Sequence, residues 1–342
     1  MRSHGQRIAC CVAGRPSGGW FASVLAATLC LIAVVASGAS VDVGYDGGAV
    51  ARIPVGAGSA GMGPAYTAIA HGADSGFWNP AALCDVEDVS VGGAHTGWLG
   101  AGIRHQYLAV GAPLLSIPSK MPDAAAGRRS VGAAFTWVSA TIPNIPWWED
   151  DRRQGVFSAG TDLLLVSWGV RLQQWPGVSF GVSVKGYTER ILEGTSLGLG
   201  FDAGLLWVAK LAGLTLRLAA VGRDLGDTRI RWRGTGDEPV ARVPWTQSLA
   251  ASVDLLRGGL SVAVGYERGV ERSGLGSVGA GVALRFSWLR LRLAAHWRER
   301  DAAPLLGVGA SLAPTERWSV HYAYMPAKIG SSHLVSFDLE LP

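Results

Sequence analysis

The chain has 342 residues, of which 49% are hydrophobic and 16% are charged. Its 30 lysines and arginines exceed its 26 acidic residues, and its pI is near 9.0. Three of the arginines and no acidic residue lie in the first 39 residues. The rest of the chain therefore carries 27 basic and 26 acidic residues, a balance that gives no support to nucleic-acid binding.

The N-terminus has the three parts of a secretory signal peptide. The three arginines precede an apolar run at 21–36, and small residues follow at 37–40. We expect residues 1–39 to be removed by cleavage after Ala39. The apolar run is shorter than the about 20 residues that a membrane-spanning helix needs, so a membrane-anchored N-terminus is the less favoured alternative.

A glycine-rich stretch follows, and Gly56-Ala57-Gly58-Ser59-Ala60-Gly61 matches the G-x-G-x-x-G pattern of dinucleotide-binding loops. Such a loop follows a buried strand and opens a helix. Here the match lies shortly after the predicted cleavage site, without that context. We therefore expect no phosphate site, and we interpret the glycines as residues that permit close backbone contacts and positive φ.

From about Val86 onward, apolar and polar residues alternate, as in Val178-Ser179-Phe180-Gly181-Val182-Ser183. A period of two predicts strands with one apolar and one polar face. The alternating segments are roughly 10–13 residues long, which fits a tilted transmembrane strand better than a soluble one. We predict fourteen strands, at 86–95, 102–112, 129–140, 156–171, 177–188, 195–209, 213–223, 245–256, 259–268, 276–287, 289–298, 304–312, 316–325 and 332–341.

The predicted connections alternate in length, with one exception at 113–128. Outer-membrane barrels have short periplasmic turns and longer external loops, and a bilayer tolerates no open sheet edge. The sequence therefore predicts an all-β protein of the bacterial outer membrane, a 14-stranded antiparallel transmembrane β-barrel. The longer, external links are predicted at 141–155, 189–194, 224–244, 269–275, 299–303 and 326–331.

Three blocks of the chain match the pattern of a known family. The first is Ser59-Ala60-Gly61-Met62-Gly63-Pro64-Ala65-Tyr66-Thr67-Ala68, then Ala73-Asp74, then Phe77-Trp78-Asn79-Pro80-Ala81-Ala82-Leu83. The second is Arg223-Asp224-Leu225-Gly226 with Val243-Pro244, and the third is Ser332-His333-Leu334-Val335-Ser336. Together these blocks resemble the PorV/PorQ family, which is similar to the wider group of FadL-type outer-membrane transporters.

The resemblance implies that residues 40–85 fold into the barrel lumen as a hatch, and that residues 86–342 form the barrel. PorV-like relatives hold secreted cargo for surface attachment in type IX secretion, so we expect docking of protein cargo or of a secretion complex. A FadL-like channel for small hydrophobic molecules is the alternative. The hatch motif implied by the resemblance comprises Gly61, Met62, Gly63, Ala65, Asp74, Trp78, Asn79, Pro80 and Ala81.

We expect no catalytic residue, cofactor or metal, and hence no enzyme. His71, Asp74 and Ser75 are close together in sequence, but no G-x-S-x-G element accompanies them. The remaining histidines are scattered without metal-ligand spacing. Beyond residue 39 the only cysteine is Cys84, so an internal disulfide and a cysteine-based metal site are excluded.

Charged residues on the polar strand faces are predicted to point into the lumen. Pairing across neighbouring strands would fill the lumen, and a selective polar channel is the alternative. The predicted inward charges are Lys185, Arg217, Asp254, Glu267, Arg285, Arg290, Arg292, Arg298, Asp338 and Glu340.

Trp147 and Trp148 follow two prolines, Pro143 and Pro146, in the predicted external loop at 141–155. Exposed paired indoles mark a contact surface unless they pack on their own loop. The candidate partners are outer-membrane lipid or lipopolysaccharide, a hydrophobic small molecule, and secreted protein cargo or secretion components.

Overall fold

The computed structural model describes residues 47–118, 128–172, 174–211, 213–234, 238–269, 276–298, 304–327 and 330–342. The predicted signal peptide at 1–39 and residues 40–46 of the predicted hatch lie outside these ranges. Within them, no helix is long and apolar enough to cross a membrane.

Within the described ranges, sixteen antiparallel strands form one sheet. Fourteen of them correspond to the fourteen predicted strands, and β8 and β9 form an additional hairpin inside the predicted link at 224–244. The strands are β1 Val89–Trp98, β2 Ile103–Pro118, β3 Arg128–Glu149, β4 Arg152–Arg171, β5 Val178–Ile191, β6 Gly194–Leu211, β7 Leu214–Arg223, β8 Thr228–Arg233, β9 Val240–Val243, β10 Thr246–Leu255, β11 Leu260–Gly269, β12 Ser277–Phe286, β13 Leu289–Arg298, β14 Leu305–Leu312, β15 Trp318–Ala327 and β16 Gly330–Leu341.

The sheet closes on itself. Strand β1 pairs with both β2 and β16, and β5 pairs with β6, so β1–β7 and β10–β16 form a continuous ring. The predicted 14-stranded antiparallel barrel is therefore confirmed. The β8–β9 hairpin extends the ring at one end, because β8 pairs with the first residues of β6 beside β5.

The two faces of the wall differ as the alternation predicts. In β4, Leu164 and Trp168 are exposed, whereas Leu163 and Ser167 are completely buried. Large apolar side chains are exposed on the outward face of every barrel strand except β1, and this is the surface that a lipid bilayer covers. On β3 and β4 several inward positions are apolar too, and they pack against the N-terminal segment rather than against water.

Two predicted links are wrong in their inner parts, because strand pairing continues into them. Strands β3 and β4 run to Glu149 and from Arg152, so the predicted loop at 141–155 is mostly a long hairpin. Bulges interrupt its pairing between Ile142 and Ile145 and again at Trp147. Prolines and bulges break the two-residue period, which is why alternation failed to predict strand there. Likewise, β2 extends into the predicted link at 113–128.

Residues 47–85, called the N-terminal segment below, form a series of short helical turns. One α-helical turn, α1, spans Ser75–Trp78. The 3-10 helices are Ala49–Arg52, Ala57–Ser59, Gly63–Ala68, Gly72–Asp74 and Pro80–Asp85, and one more, Leu256–Gly258, follows β10. Short turns of this kind leave many backbone groups without intrahelical partners, so the surrounding residues have to satisfy them.

Serines on the inward face of the wall provide several of those partners. Ser336 accepts a hydrogen bond from the Ala57 N–H at 2.9 Å, and Ser90 accepts one from the Ala73 N–H at 3.0 Å. Ser167 donates to the Gly76 carbonyl at 3.0 Å. These bonds join the N-terminal segment to the inner face of strands β16, β1 and β4.

Glycines on the same inward face allow the segment's backbone to approach the wall. A Cβ atom placed on Gly265 would lie 2.5 Å from the Ala65 nitrogen, and one on Gly307 would lie 2.7 Å from the Ala60 carbonyl oxygen. Neither separation is compatible with a side chain. The wall glycines that meet the backbone of the segment or the Asn79–Pro80 pair in this way include Gly132, Gly169, Gly181, Gly204, Gly265, Gly279 and Gly307.

We predict that Gly265→Ala destabilises the folded barrel by about 1–3 kcal/mol, because the new methyl group collides with backbone that cannot rotate away. Gly186→Ala on β5 is the matched control, since a Cβ there meets no atom within 4 Å. We expect the control to be neutral or slightly stabilising. Thermal unfolding of both variants, followed by circular dichroism and by heat-modifiable gel mobility, checks this. Equal effects of the two substitutions would contradict the proposed close contact.

Candidate functional site

The first part of the predicted hatch motif turns along the wall. Gly61 and Gly63 have φ values of 74° and 51°, which favour glycine. Gly61 lies against Gly307, and Gly63 lies against the ring of His296. Met62 and Ala65 are buried between them and strands β11 and β12. These residues of the motif therefore allow the N-terminal segment to pack closely against the barrel wall.

Asn79 organises the second part of the motif. Its side-chain oxygen accepts a hydrogen bond from the Ala81 N–H at 3.1 Å and so caps the 3-10 helix that starts at Pro80. Its amide nitrogen donates to the Thr67 carbonyl at 3.1 Å, which links the two halves of the segment. Asn79 is completely buried, so each of these bonds replaces one that water would otherwise make.

Trp78 is attached to the wall through Arg223 at the end of β7. The Arg223 guanidinium donates to the Trp78 carbonyl at 2.9 Å and lies 5.7 Å from the centre of its indole ring. The same guanidinium forms an ion pair with Glu267 at 2.9 Å and bonds Ser248 at 3.0 Å. One arginine thus connects α1 with strands β7, β10 and β11.

Asp224, the next residue, belongs to a second buried network. Its carboxylate lies 3.0 Å from the Lys185 ammonium and accepts hydrogen bonds from Tyr187 and Thr228, each at 2.9 Å. Lys185 also pairs with Asp202 at 2.9 Å. Asp224 has a φ of 54°, a turn conformation, and Thr228 begins β8, so the network fixes the β8–β9 hairpin to β5 and β6.

The inward charges predicted from the sequence are paired in several places. Arg217 pairs with Asp254, and His321 lies 2.8 Å from Asp338. On β12 and β13, by contrast, Arg285 and Arg290 occupy directly opposed positions. The alternation placed these residues on the inner face, but it could not specify their partners, because partner choice depends on strand register.

Asp74 is buried and accepts hydrogen bonds from Tyr107 at 2.8 Å and from Tyr66 at 3.3 Å. Burial, together with the nearby carboxylate of Asp338, raises the pKa of Asp74 to about 7, and the two tyrosine bonds limit the rise. His71 and Ser75 form no hydrogen bond with Asp74, so the three residues are not arranged as a triad. Across the described ranges, no group of three or more His, Cys, Asp or Glu is arranged to hold a metal ion.

The Gly56–Gly61 run does not have the geometry of a phosphate loop. It leads into the three-residue 3-10 helix Ala57–Ser59 rather than into an α-helix. Gly56 has a φ of 77° and approaches the Asp74 carboxyl group so closely that a Cβ would lie 3.0 Å from it. The glycine run therefore packs beside an acid.

A cavity of about 720 Å³ opens at the end of the barrel where the long links lie. The lining of the cavity is mostly apolar. Gly47, the first described residue of the N-terminal segment, contributes to this lining. The side chains that shape it are Trp147, Glu189, Ile191, Glu193, Trp232 and Pro239.

The structure separates the two tryptophans that the sequence placed together. Trp147 lines the cavity, whereas its neighbour Trp148 does not and is 59% exposed. Trp232 completes the aromatic lining from β8, a strand that the sequence analysis missed. The alternation Ile230-Arg231-Trp232-Arg233 is the signal that could have revealed it, although β8 has only six residues.

The fold is similar to those of a FadL homologue and of two hydrocarbon transport proteins. A Pseudomonas aeruginosa FadL homologue superposes with a TM-score of 0.53 at 11% identity, covering 87% of this chain and 99% of its own. The Pseudomonas putida toluene transporter TodX gives 0.52 at 12% identity, with 83% and 97% covered. The CymD monoaromatic hydrocarbon channel gives 0.50 at 12% identity, with 85% and 98% covered. No family model matches the chain, and no curated protein sequence matches it.

We predict that the stability of the barrel depends on pH through Asp74. Its pKa of about 7 in the folded state exceeds the value near 4 of an unfolded chain, so the folded state holds a proton that the unfolded state loses. The contribution is fully present below about pH 4 and disappears as the pH rises through 7, which should lower stability by about 2–4 kcal/mol between pH 5 and pH 8.

Asp74→Asn is the test, because asparagine keeps an acceptor for Tyr107 and carries no charge at any of these pH values. The difference in unfolding free energy between variant and wild type, measured by urea titration in lipid vesicles at several pH values, should increase with pH in favour of the variant. A constant difference would show that Asp74 does not titrate in this range.

Proposed function

We propose that this protein is a non-enzymatic channel of the bacterial outer membrane for small hydrophobic molecules, and that such a molecule first binds in the cavity at Trp147 and Trp232. The observation that carries the proposal is the cavity itself. Its volume of about 720 Å³ and its aromatic and aliphatic lining are typical of small-molecule sites. The fold adds support, because similar structures include a toluene transporter and a monoaromatic hydrocarbon channel.

We propose further that the N-terminal segment is the hatch of this channel. Its serine and glycine contacts occupy the inner face of the wall on many strands, so a molecule leaving the cavity toward the opposite end meets the segment. Passage then requires that part of the segment, or of the wall beside it, moves.

Docking of secreted cargo, expected from the PorV/PorQ resemblance, remains a second candidate function. Trp148 favours it, because this large indole is exposed at the tip of the projecting β3–β4 hairpin and lies outside the cavity. Exposed aromatic side chains at such tips are common anchors for protein partners.

The neighbouring tryptophans separate the two functions. We predict that Trp147→Ala weakens binding of a neutral aromatic hydrocarbon by roughly tenfold, since it removes one wall of the cavity. Trp148→Ala is the matched control and should leave this affinity unchanged. Calorimetric titration of toluene into the protein in lipid nanodiscs, with empty nanodiscs as the blank, measures both. If the Trp147→Ala variant binds toluene as tightly as wild type, the cavity is not the binding site.

If the protein docks cargo, the pattern should reverse. Trp148→Ala should then reduce the amount of a specific outer-membrane or secreted protein that copurifies with the barrel, whereas Trp147→Ala should have the smaller effect. Crosslinking in intact cells, followed by quantitative mass spectrometry of the purified barrel, provides the measurement. Equal recovery from wild type and both variants would argue against docking through this hairpin.

A further inference from the structure

We infer that the cavity selects an organic cation, a small hydrophobic molecule that carries a quaternary or protonated ammonium group. The inference rests on the proposed function, since it names the class of molecule that the same cavity prefers. It depends on the charges that line the cavity and on their position beside the two indole rings.

The ionisable groups in the lining are both acids. Among the described residues that form it, Glu189 and Glu193 are the only charged side chains, and no lysine or arginine takes part. The remaining surface is largely apolar. An anionic ligand would therefore be repelled, and a neutral ligand would leave the two carboxylates without an opposite charge beside them.

Strand register places Glu189 and Trp232 on either side of one small residue. The backbone N–H of Glu189 donates to the Ser196 hydroxyl at 3.0 Å, and Ser196 is paired with Trp232 on the next strand. Adjacent strands lie about 4.8 Å apart, so Glu189 and Trp232 stand on strands about 10 Å apart with only a serine between them. That gap has room for an ammonium group.

The Glu189 carboxylate is held in position through one oxygen, and its other oxygen can still bind a ligand. One of its oxygens accepts a hydrogen bond from the Gly48 N–H at 3.0 Å. The other oxygen has no partner within the described part of the chain. A fixed carboxylate with a free oxygen attracts a cation without first having to be ordered.

The indole rings of Trp147 and Trp232 complete the site. The face of an indole ring is electron-rich and attracts an ammonium group, and this attraction strengthens where water is excluded. A carboxylate alone would bind hydrated metal cations equally well. The combination of aromatic faces, apolar surface and two carboxylates favours a cation whose charge is surrounded by carbon.

The test compares two ligands of nearly identical shape, phenyltrimethylammonium and tert-butylbenzene, which differ in having nitrogen or carbon at the branch point. Calorimetric titration into the full-length protein in zwitterionic lipid nanodiscs should show that the cation binds roughly tenfold more tightly. Its affinity should fall as salt is added, whereas that of tert-butylbenzene should not.

Glu189→Gln should remove most of this preference, because glutamine keeps the acceptor for Gly48 and loses the charge. Glu193→Gln should reduce it as well. Glu149→Gln is the matched control, since Glu149 lies at the end of β3, two residues after Trp147, but does not line the cavity. This variant should retain the wild-type preference.

Three outcomes would overturn the inference, and they are distinguishable. If tert-butylbenzene binds as tightly as the cation in wild type, the cavity takes hydrophobic molecules without charge selection, and the proposed function stands. If neither ligand binds, the proposed function fails together with the inference. A preference that survives both glutamine substitutions would also reject the assignment to these carboxylates.

Discussion

The close contact between the backbone of the N-terminal segment and the glycines of the wall is the constraint on which the structure depends. A segment of short turns packed on the wall of a barrel buries backbone groups that have no helical partners, and each must find one. Serines such as Ser90, Ser167 and Ser336 provide these partners. They reach the backbone because neighbouring inward positions are glycine and no larger side chain keeps the segment away from the wall.

Two consecutive residues at the end of β7 connect the N-terminal segment with the end of the barrel that carries the cavity. Arg223 binds Trp78 and Glu267, so it ties the segment to the wall. Asp224 turns the chain and binds Lys185 and Thr228, so it ties the β8–β9 hairpin to β5 and β6. Breaking a buried pair of this kind leaves an unpaired charge inside the protein, which costs several kcal/mol. The hairpin that carries Trp232 over the cavity therefore has a fixed position.

The alternation of the sequence was sufficient to predict the wall, whereas the hatch at 40–85 was expected only from the family resemblance. Alternation identified all fourteen barrel strands, because each strand meets lipid on one face, and it failed where prolines and bulges interrupt the period, as at Ile142–Trp147. The cavity could not be predicted, because its lining comes from β3, β5 and β8, which meet only through register and through a hairpin that looked like a loop. Glycine and serine dominate the polar faces around Gly181, Gly265 and Gly279, and this bias toward small residues is the signal that would have indicated an occupied interior.

The contacts of the segment are distributed unevenly, which bears on how a channel could open. From Ala57 to Asp85 the backbone is bonded to serines and Arg223 and packed on wall glycines. From Gly47 to Val55 its hydrogen bonds to the wall include those of Gly47 to the Arg242 carbonyl and of Gly48 to Glu189, and Val50 and Val55 pack on apolar side chains. Apolar packing therefore contributes to holding this first part of the segment. Because Glu189 holds Gly48 through one oxygen and also lines the cavity, a cation bound at its other oxygen would lie beside the start of the segment.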